Sequence, residues 1–114
     1  MGIDTYQRYI FRSDIDKVVS FLQKARSSAI SNVNEEQYGV VLDDDDNLIL
    51  FRGAPGTSYD YKVEKSKAVD YEDTCSGQVV FERLTGNTAD CEIKITEGSK
   101  ENIISINTQG GINY

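Results

Sequence analysis

The sequence predicts an α+β fold in which one long N-terminal α-helix packs on antiparallel β-sheet. In the first third of the chain, apolar residues recur every three to five positions, and no Gly or Pro occurs from Ile3 to Glu36. After residue 34 the pattern changes to short alternating or apolar runs, which are typical of β-strands. With 114 residues and 39% hydrophobic content, residues 1–114 are expected to form a single domain, because a second one would have too small an interior.

The helix is expected over about residues 3–33, and its two halves differ. The second half carries a dense apolar face, and its predicted core positions are Val18, Leu22, Ala25 and Ala29. A helix of this length, on the order of 40 Å, would extend beyond a domain of this size. We therefore expect the first half to contact another molecule, with fraying in solvent as the alternative. The candidate contact residues are Ile3, Tyr6, Arg8, Ile10 and Arg12.

The rest of the chain, about residues 34–114, is expected to form a β-rich head. A hairpin is predicted first, because two apolar runs, 37–42 and 47–52, flank a turn at residues 43–46. A strand at 59–63 and a polar irregular stretch at 65–73 follow. The remaining predicted strands are residues 78–83, 91–96 and 102–107, with a short final segment at 112–114.

Charge and residue types exclude several classes of function. The formal net charge is −7, and no Lys or Arg follows Asn102, so nucleic-acid binding is disfavoured. The chain has no His, which removes imidazole as a base, proton shuttle or metal ligand. There is no Gly-rich phosphate loop and no evident nucleophile with a partner base. We therefore expect neither an enzyme nor a cofactor.

Two segments, the end of the helix and the closing strands, carry a residue pattern found in a known family. Leu22 is followed by Ala25-Arg26-Ser27-Ser28-Ala29-Ile30 and then by the predicted hairpin. The closing segments run from Val80 to Gly86, from Cys91 to Thr96 and from Ile103 to Ile112. In order and spacing these segments resemble the H-type minor pseudopilins of type II secretion and the related FimT/FimU minor pilins. The resemblance covers residues 12–52 and 78–114.

The resemblance implies a pilin-like head and a structural role in a type IV pilus-like or type II secretion filament. Such a subunit acts by helix packing and head contacts in assembly, initiation or a tip complex. Its partners would be other pilins or pseudopilins in a hetero-oligomeric, extracytoplasmic filament. The family also has an apolar N-terminal helix half that inserts in the inner membrane, which this chain lacks. We therefore expect residues 1–114 to be the soluble head of a longer, membrane-anchored subunit, an interpretation that the Met1-Gly2 start also favours.

An alternative within the same family is a pilus-tip adhesin, or a minor pilin that binds DNA or another ligand. In that case exposed tyrosines would contact the ligand, although tyrosines on strand faces also serve simply to fill a core. The tyrosines considered are Tyr59, Tyr61, Tyr71 and Tyr114.

The helix motif itself has two interpretations. Ala25 and Ala29 lie four residues apart, so their small side chains let a sheet approach the helix closely. In the other interpretation, Arg26 joins Arg8, Arg12 and Lys17 in a basic helix surface that meets the acidic heads of neighbouring subunits. Such surface charge pairs contribute only about 0–1 kcal/mol each. They would therefore adjust how neighbouring subunits align and would not hold a filament together.

A run of acidic residues, Asp43, Asp44, Asp45 and Asp46, suggests a calcium site. The run does not fit the EF-hand pattern, because Leu48 stands where a Gly is needed and Ala54 where a bidentate Glu is needed. We expect a solvated hairpin tip, with weak calcium adsorption as the alternative.

The two cysteines, Cys75 and Cys91, are compatible with one disulfide or with two free thiols. The extracytoplasmic location implied by the resemblance favours the disulfide. One geometric argument opposes it. If residues 78–83 pair with residues 91–96 about a turn near Asn87, Cys75 lies opposite a residue close to Ser99. A bridge would then require Cys75 to return over the sheet from a neighbouring loop. We expect the disulfide, with two free thiols as the alternative.

Overall fold

The computed structural model describes most of the backbone of the chain. The described ranges are residues 3–32, 35–44, 47–53, 56, 60–64 and 69–114, with side chains in the same ranges apart from 3–10 and 43–44. Within these ranges the chain forms one α-helix followed by eight β-strands. The elements are α1 (Ile3–Ile30), β1 (Tyr38–Asp44), β2 (Asn47–Arg52), β3 (Tyr61–Glu64), β4 (Asp70–Asp73), β5 (Gln78–Phe81), β6 (Cys91–Glu97), β7 (Lys100–Ile106) and β8 (Ile112–Asn113).

The strands form two separate four-stranded sheets, and every strand pair is antiparallel. The first sheet has the order β3-β2-β1-β5, and the second has the order β4-β6-β7-β8. In the first sheet, Tyr38 lies between Arg52 of β2 and Phe81 of β5. In the second, Ile93 lies between Asp73 of β4 and Ile104 of β7.

The core lies where α1 packs on the two sheets. The helix contributes a buried stripe of residues at intervals of three and four. The stripe begins at Ile15 and ends at Ala29. Val18, Leu22, Ala25 and Ala29 are fully buried. In β6 and β7 burial alternates with a period of two, so one face of the second sheet turns toward the helix, whereas β2 has consecutive buried residues at Leu48 and Ile49. The fully buried strand residues include Val40, Leu48, Phe81, Ile93, Ile95 and Ile104.

The fold class predicted from the sequence, a pilin-like α+β fold organised by one long helix, is wrong. The described chain is sheet-rich, with two antiparallel four-stranded sheets, and an α+β description fits it only loosely. The helical stretch whose side-chain packing is described is short and covers residues 11–30. The reason for the error is that a helical pattern is conspicuous over a long continuous stretch. By contrast, β3 and β4 have four residues each and β8 has two, so they leave little pattern.

Two local predictions are also corrected. The stretch 65–73, expected to be irregular, contains β4, an edge strand in which only Tyr71 is partly buried. The predicted pairing of residues 78–83 with 91–96 does not occur, because β5 pairs with β1 in the first sheet and β6 pairs with β4 and β7 in the second. The geometric argument against the disulfide therefore no longer holds.

Candidate interaction site at the end of the helix

The carboxyl end of α1 is capped by the loop that follows β5. Asn32 adopts a left-handed conformation with φ 56°, which ends the helix. The Ala29 carbonyl oxygen then accepts two hydrogen bonds, from Asn32 N at 3.1 Å and from Leu84 N at 2.8 Å. The second bond comes from a residue 55 positions later in the chain, so it ties the helix end to the loop between the two sheets.

That loop holds an apolar side chain in an unusual position. Leu84 has a φ of 74°, in the left-handed region that side chains other than Gly rarely adopt, and it is 56% exposed. The loop is braced by hydrogen bonds from Gly86 N to the Glu82 oxygen and from Glu82 N to the Asn87 oxygen. These bonds, together with the bond to Ala29, hold Leu84 on the surface beside the helix end.

The side chains of Arg26 and Ile30 pack against two glycines that lie far apart in sequence. A Cβ on Gly110 would overlap the Gly86 carbonyl oxygen and would lie 3.0 Å from Arg26 Nε. A Cβ on Gly86 would lie 2.7 Å from Ile30 Cγ1 and 3.5 Å from Arg26 Cγ. Both glycines also have positive φ, 73° and 82°. The Arg26 stem therefore fits closely because position 110 carries no side chain, and Ile30 fits because position 86 carries none. We call these four residues the carboxyl-terminal anchor of the helix.

A cavity of about 370 Å³ opens beside the carboxyl-terminal anchor. Its lining residues are Gln23, Arg26, Ser27, Gly110 and Ile112. Arg26 Nε is buried, and no acceptor for it is present in the described part of the chain. None of the lining residues is acidic. The cavity therefore places hydroxyl and amide side chains beside a cationic side chain, whose own Nε has no accessible surface.

The start of the helical stretch whose side chains are described, residues 11–30, is held by polar contacts that the sequence analysis missed. Asp14 is 1% exposed, and its Oδ1 accepts a hydrogen bond of 2.9 Å from the Tyr71 hydroxyl of β4. Lys17 Nζ lies 3.8 Å from the same oxygen and donates to the Glu64 carbonyl oxygen at 3.3 Å. We call Asp14, Lys17 and Tyr71 the amino-terminal anchor. A signal for it was present, because Asp14 precedes Val18 by four residues and so falls on the buried stripe.

The disulfide prediction is confirmed, since Cys75 and Cys91 are bonded. In the β4–β6 register Asp73 pairs with Ile93, so Cys75 continues β4 to the position opposite Cys91. Thr74 extends the same ladder, because its N donates to the Glu92 oxygen at 3.0 Å and its Oγ1 accepts from Glu92 N at 2.9 Å. The bridge therefore closes the end of a strand pair and does not cross the sheet.

Most of the remaining predicted site residues have side chains outside the described set. The side chains of Ile3, Tyr6, Arg8 and Ile10 lie outside those that the structure describes, and Arg12 is exposed. The side chains of Asp43 to Asp46 also lie outside the described set, so the solvated hairpin tip stays a prediction and calcium adsorption stays its alternative. Among the described residues, no cluster of three or more metal-ligating side chains occurs.

The tyrosines considered as ligand contacts are not gathered together. Tyr71 belongs to the amino-terminal anchor, and Tyr114 is 66% exposed at the end of the chain. Tyr61 is exposed on β3, where its ring lies 5.8 Å from that of Phe21 and 5.9 Å from Lys24 Nζ. Tyr59 lies outside the described residues.

Comparison with known proteins gives no relative: no protein-family model matches the chain, and no curated protein or solved structure matches it significantly. Within the described part of the chain, no helix combines the length and the apolar character needed to cross a membrane.

Proposed function

We propose that this chain is the head of a structural filament subunit, a minor pilin or minor pseudopilin of a type IV pilus-like or type II secretion filament. The observation that carries the proposal is the carboxyl-terminal anchor. The two segments on which the family resemblance rests, the helix motif around Arg26 and the closing segments with Gly86 and Gly110, pack directly on each other. The two parts of the residue pattern therefore meet in one packing contact, which supports treating them as a single motif.

The placement of the helix side chains supports assembly through the start of α1. From Phe11 onward the helix packs against its own sheets, with Phe11 partly buried and Asp14 and Ile15 buried, whereas Arg12 is exposed. In the proposal, residues 3–12 contact neighbouring subunits, and an apolar segment ahead of them anchors the subunit in the inner membrane before assembly. The disulfide supports an extracytoplasmic location, because disulfides persist in oxidising compartments.

Site-specific photocrosslinking in the cells that make the protein tests the proposal. A photoreactive amino acid at position 12, in the full-length gene, should capture membrane-anchored filament subunits, to be identified by mass spectrometry. Position 24 is the matched control, because Lys24 is also exposed on α1 but lies over Tyr61 of the same chain. We expect capture at position 12 and little at position 24.

Two outcomes would count against the filament role. One is the absence of protein partners at position 12, and the other is equal capture at positions 12 and 24, which would indicate contact without a defined interface. The adhesin alternative predicts a different result: deletion of the gene would leave filaments intact and abolish attachment to the ligand. Counting filaments in the deletion strain by electron microscopy separates the two roles.

A further inference from the structure

We infer that the cavity beside Arg26 is a binding site for a carboxylate group. The first reason is electrostatic. The chain carries a formal net charge of −7, yet no ion pair of Arg26 occurs among the described residues. Two other described cations on the helix have neighbours, since Lys17 lies near Asp14 and Lys24 lies over the Tyr61 ring, whereas Arg12 is exposed. Arg26 is thus a partly buried cation available to an anion from outside the chain.

The second reason is the state of its donor groups. Arg26 Nε is buried and has no acceptor in the described part of the chain. A buried donor without an acceptor costs free energy, so such groups call for an explanation. The side chain cannot readily turn away to find another acceptor, because its stem is confined between Gly86 and Gly110. Nε itself has no accessible surface, so an oxyanion bound in the cavity would contact the atoms of Arg26 that line it.

The third reason is the character of the walls. Gln23 and Ser27 lie four residues apart and flank Arg26 on the same side of α1, so an amide and a hydroxyl can donate beside the guanidinium. Ile112 forms an apolar wall, and no acidic side chain lines the cavity. A planar guanidinium with neighbouring neutral donors matches the planar, bidentate geometry of a carboxylate.

Charge and size favour a carboxylate over a phosphate group. A single cation lines the cavity, and the acidic chain repels a dianion more strongly than a monoanion. The volume of about 370 Å³ lies at the lower end of the range of small-molecule sites, which suits one amino-acid side chain or a small organic acid. The carboxylate can therefore come from a free small acid or from an Asp or Glu side chain of another polypeptide. The inference does not depend on the filament role, because it concerns this cavity alone.

Titration followed by amide NMR tests the site with the 114-residue chain. The probes are sodium acetate and a doubly blocked glutamate residue, which presents its carboxylate as a protein side chain does. Sodium chloride at matched ionic strength corrects for screening. We expect saturable shifts confined to the amides near Gln23, Ser27, Gly110 and Ile112. Tighter binding of blocked glutamate would identify a polypeptide side chain as the source, and equal or tighter binding of acetate would identify a small acid.

Variants separate this site from general charge effects. Arg26→Gln should weaken binding at least about tenfold, because it removes a charge-assisted hydrogen-bond donor. Lys24→Gln removes the same charge two residues away on an exposed side chain and should leave binding unchanged. Because Arg26 packs in the carboxyl-terminal anchor, Ser27→Ala serves as a second probe: Ser27 is exposed, so the variant should fold normally and bind several-fold more weakly.

Two results would overturn the inference. One is a set of shifts that rise linearly with both probes and match those in sodium chloride, which would mean that water satisfies Arg26. The other is saturable binding that survives in both Arg26→Gln and Ser27→Ala, which would place the carboxylate elsewhere on the surface.

Discussion

The two anchors both hold α1 against the sheets, but they do so by different kinds of interaction. The amino-terminal anchor is polar, with a buried carboxyl group held by a tyrosine hydroxyl of β4 and approached by Lys17. The carboxyl-terminal anchor is steric, with the Arg26 stem and Ile30 filling space that Cβ atoms on Gly86 and Gly110 would occupy. Loss of a single hydrogen-bonding atom should therefore lower the stability of the amino-terminal anchor. Addition of a single carbon atom should lower the stability of the carboxyl-terminal anchor.

The largest effect is expected from adding that carbon atom. Gly110→Ala places a Cβ against the Gly86 carbonyl oxygen and close to Arg26, at a φ of 82°. Left-handed strain of about 1 kcal/mol and overpacking of up to about 3 kcal/mol together predict a loss of about 4 kcal/mol in the free energy of unfolding. Urea unfolding measures this loss.

Gly98→Ala is the matched control for that variant. Gly98 also has a positive φ, 60°, but nothing lies within 4 Å of a Cβ built there. This substitution should cost only the backbone strain, about 1 kcal/mol. Equal losses in the two variants would mean that backbone conformation, and not packing around Arg26, determines the carboxyl-terminal anchor.

The next largest effect should come from removing the disulfide. The bridge joins residues separated by 16 positions, for which the chain-entropy model gives about 3 kcal/mol. Since Cys75 continues β4, which carries Tyr71, the paired Cys75→Ser and Cys91→Ser substitutions should also loosen the amino-terminal anchor. Hydrogen exchange should accelerate in β4 more than at Ala29 and Leu84. Uniform acceleration at both helix ends would show that the two anchors do not act separately.

A smaller effect is expected when the amino-terminal anchor loses one oxygen atom. Tyr71→Phe keeps the ring and removes the hydroxyl that donates to Asp14, with an expected cost of about 1–2 kcal/mol. Tyr114→Phe removes a hydroxyl from a side chain that is 66% exposed and should have no measurable effect. If thermal unfolding shows the two variants to be equally stable, the bond between Tyr71 and Asp14 does not hold the helix.

The sequence predicts the parts of this fold that leave a periodic signal. The spacing of Val18, Leu22, Ala25 and Ala29 indicates a buried helical face, and these residues are fully buried. Apolar runs in β1 and β2 and alternation in β6 and β7 likewise indicate strands. The high proportion of β-strand was not predicted, because β4 carries the polar sequence Asp-Tyr-Glu-Asp, which becomes a strand only by pairing with β6.

The candidate site was harder to predict, because it depends on contacts between distant segments. Arg26 was noted as a motif residue and Gly110 as part of the closing pattern, but nothing in either segment indicates that the two are adjacent. The position of the disulfide depended in the same way on strand pairing, since assigning residues 78–83 and 91–96 to one hairpin placed Cys75 opposite the wrong residue. Local propensity determines neither of these long-range choices.

The smallest effect, and the finest test of the comparison, involves two lysines seven residues apart on α1. Lys17 belongs to the amino-terminal anchor and contacts Asp14 and the Glu64 carbonyl oxygen, whereas Lys24 lies between the anchors with its Nζ 5.9 Å from the centre of the exposed Tyr61 ring. Lys24→Gln should cost about 0.5 kcal/mol or less, because exposed cation–π contacts are weak. Lys17→Gln should cost more, about 1 kcal/mol, since its partner carboxyl is buried.

Parallel urea titrations at low and high salt measure both. If the two lysines contribute equally and lose their contribution equally in salt, the polar contacts at Asp14 are ordinary surface contacts, and the steric anchor at Arg26 alone fixes the helix.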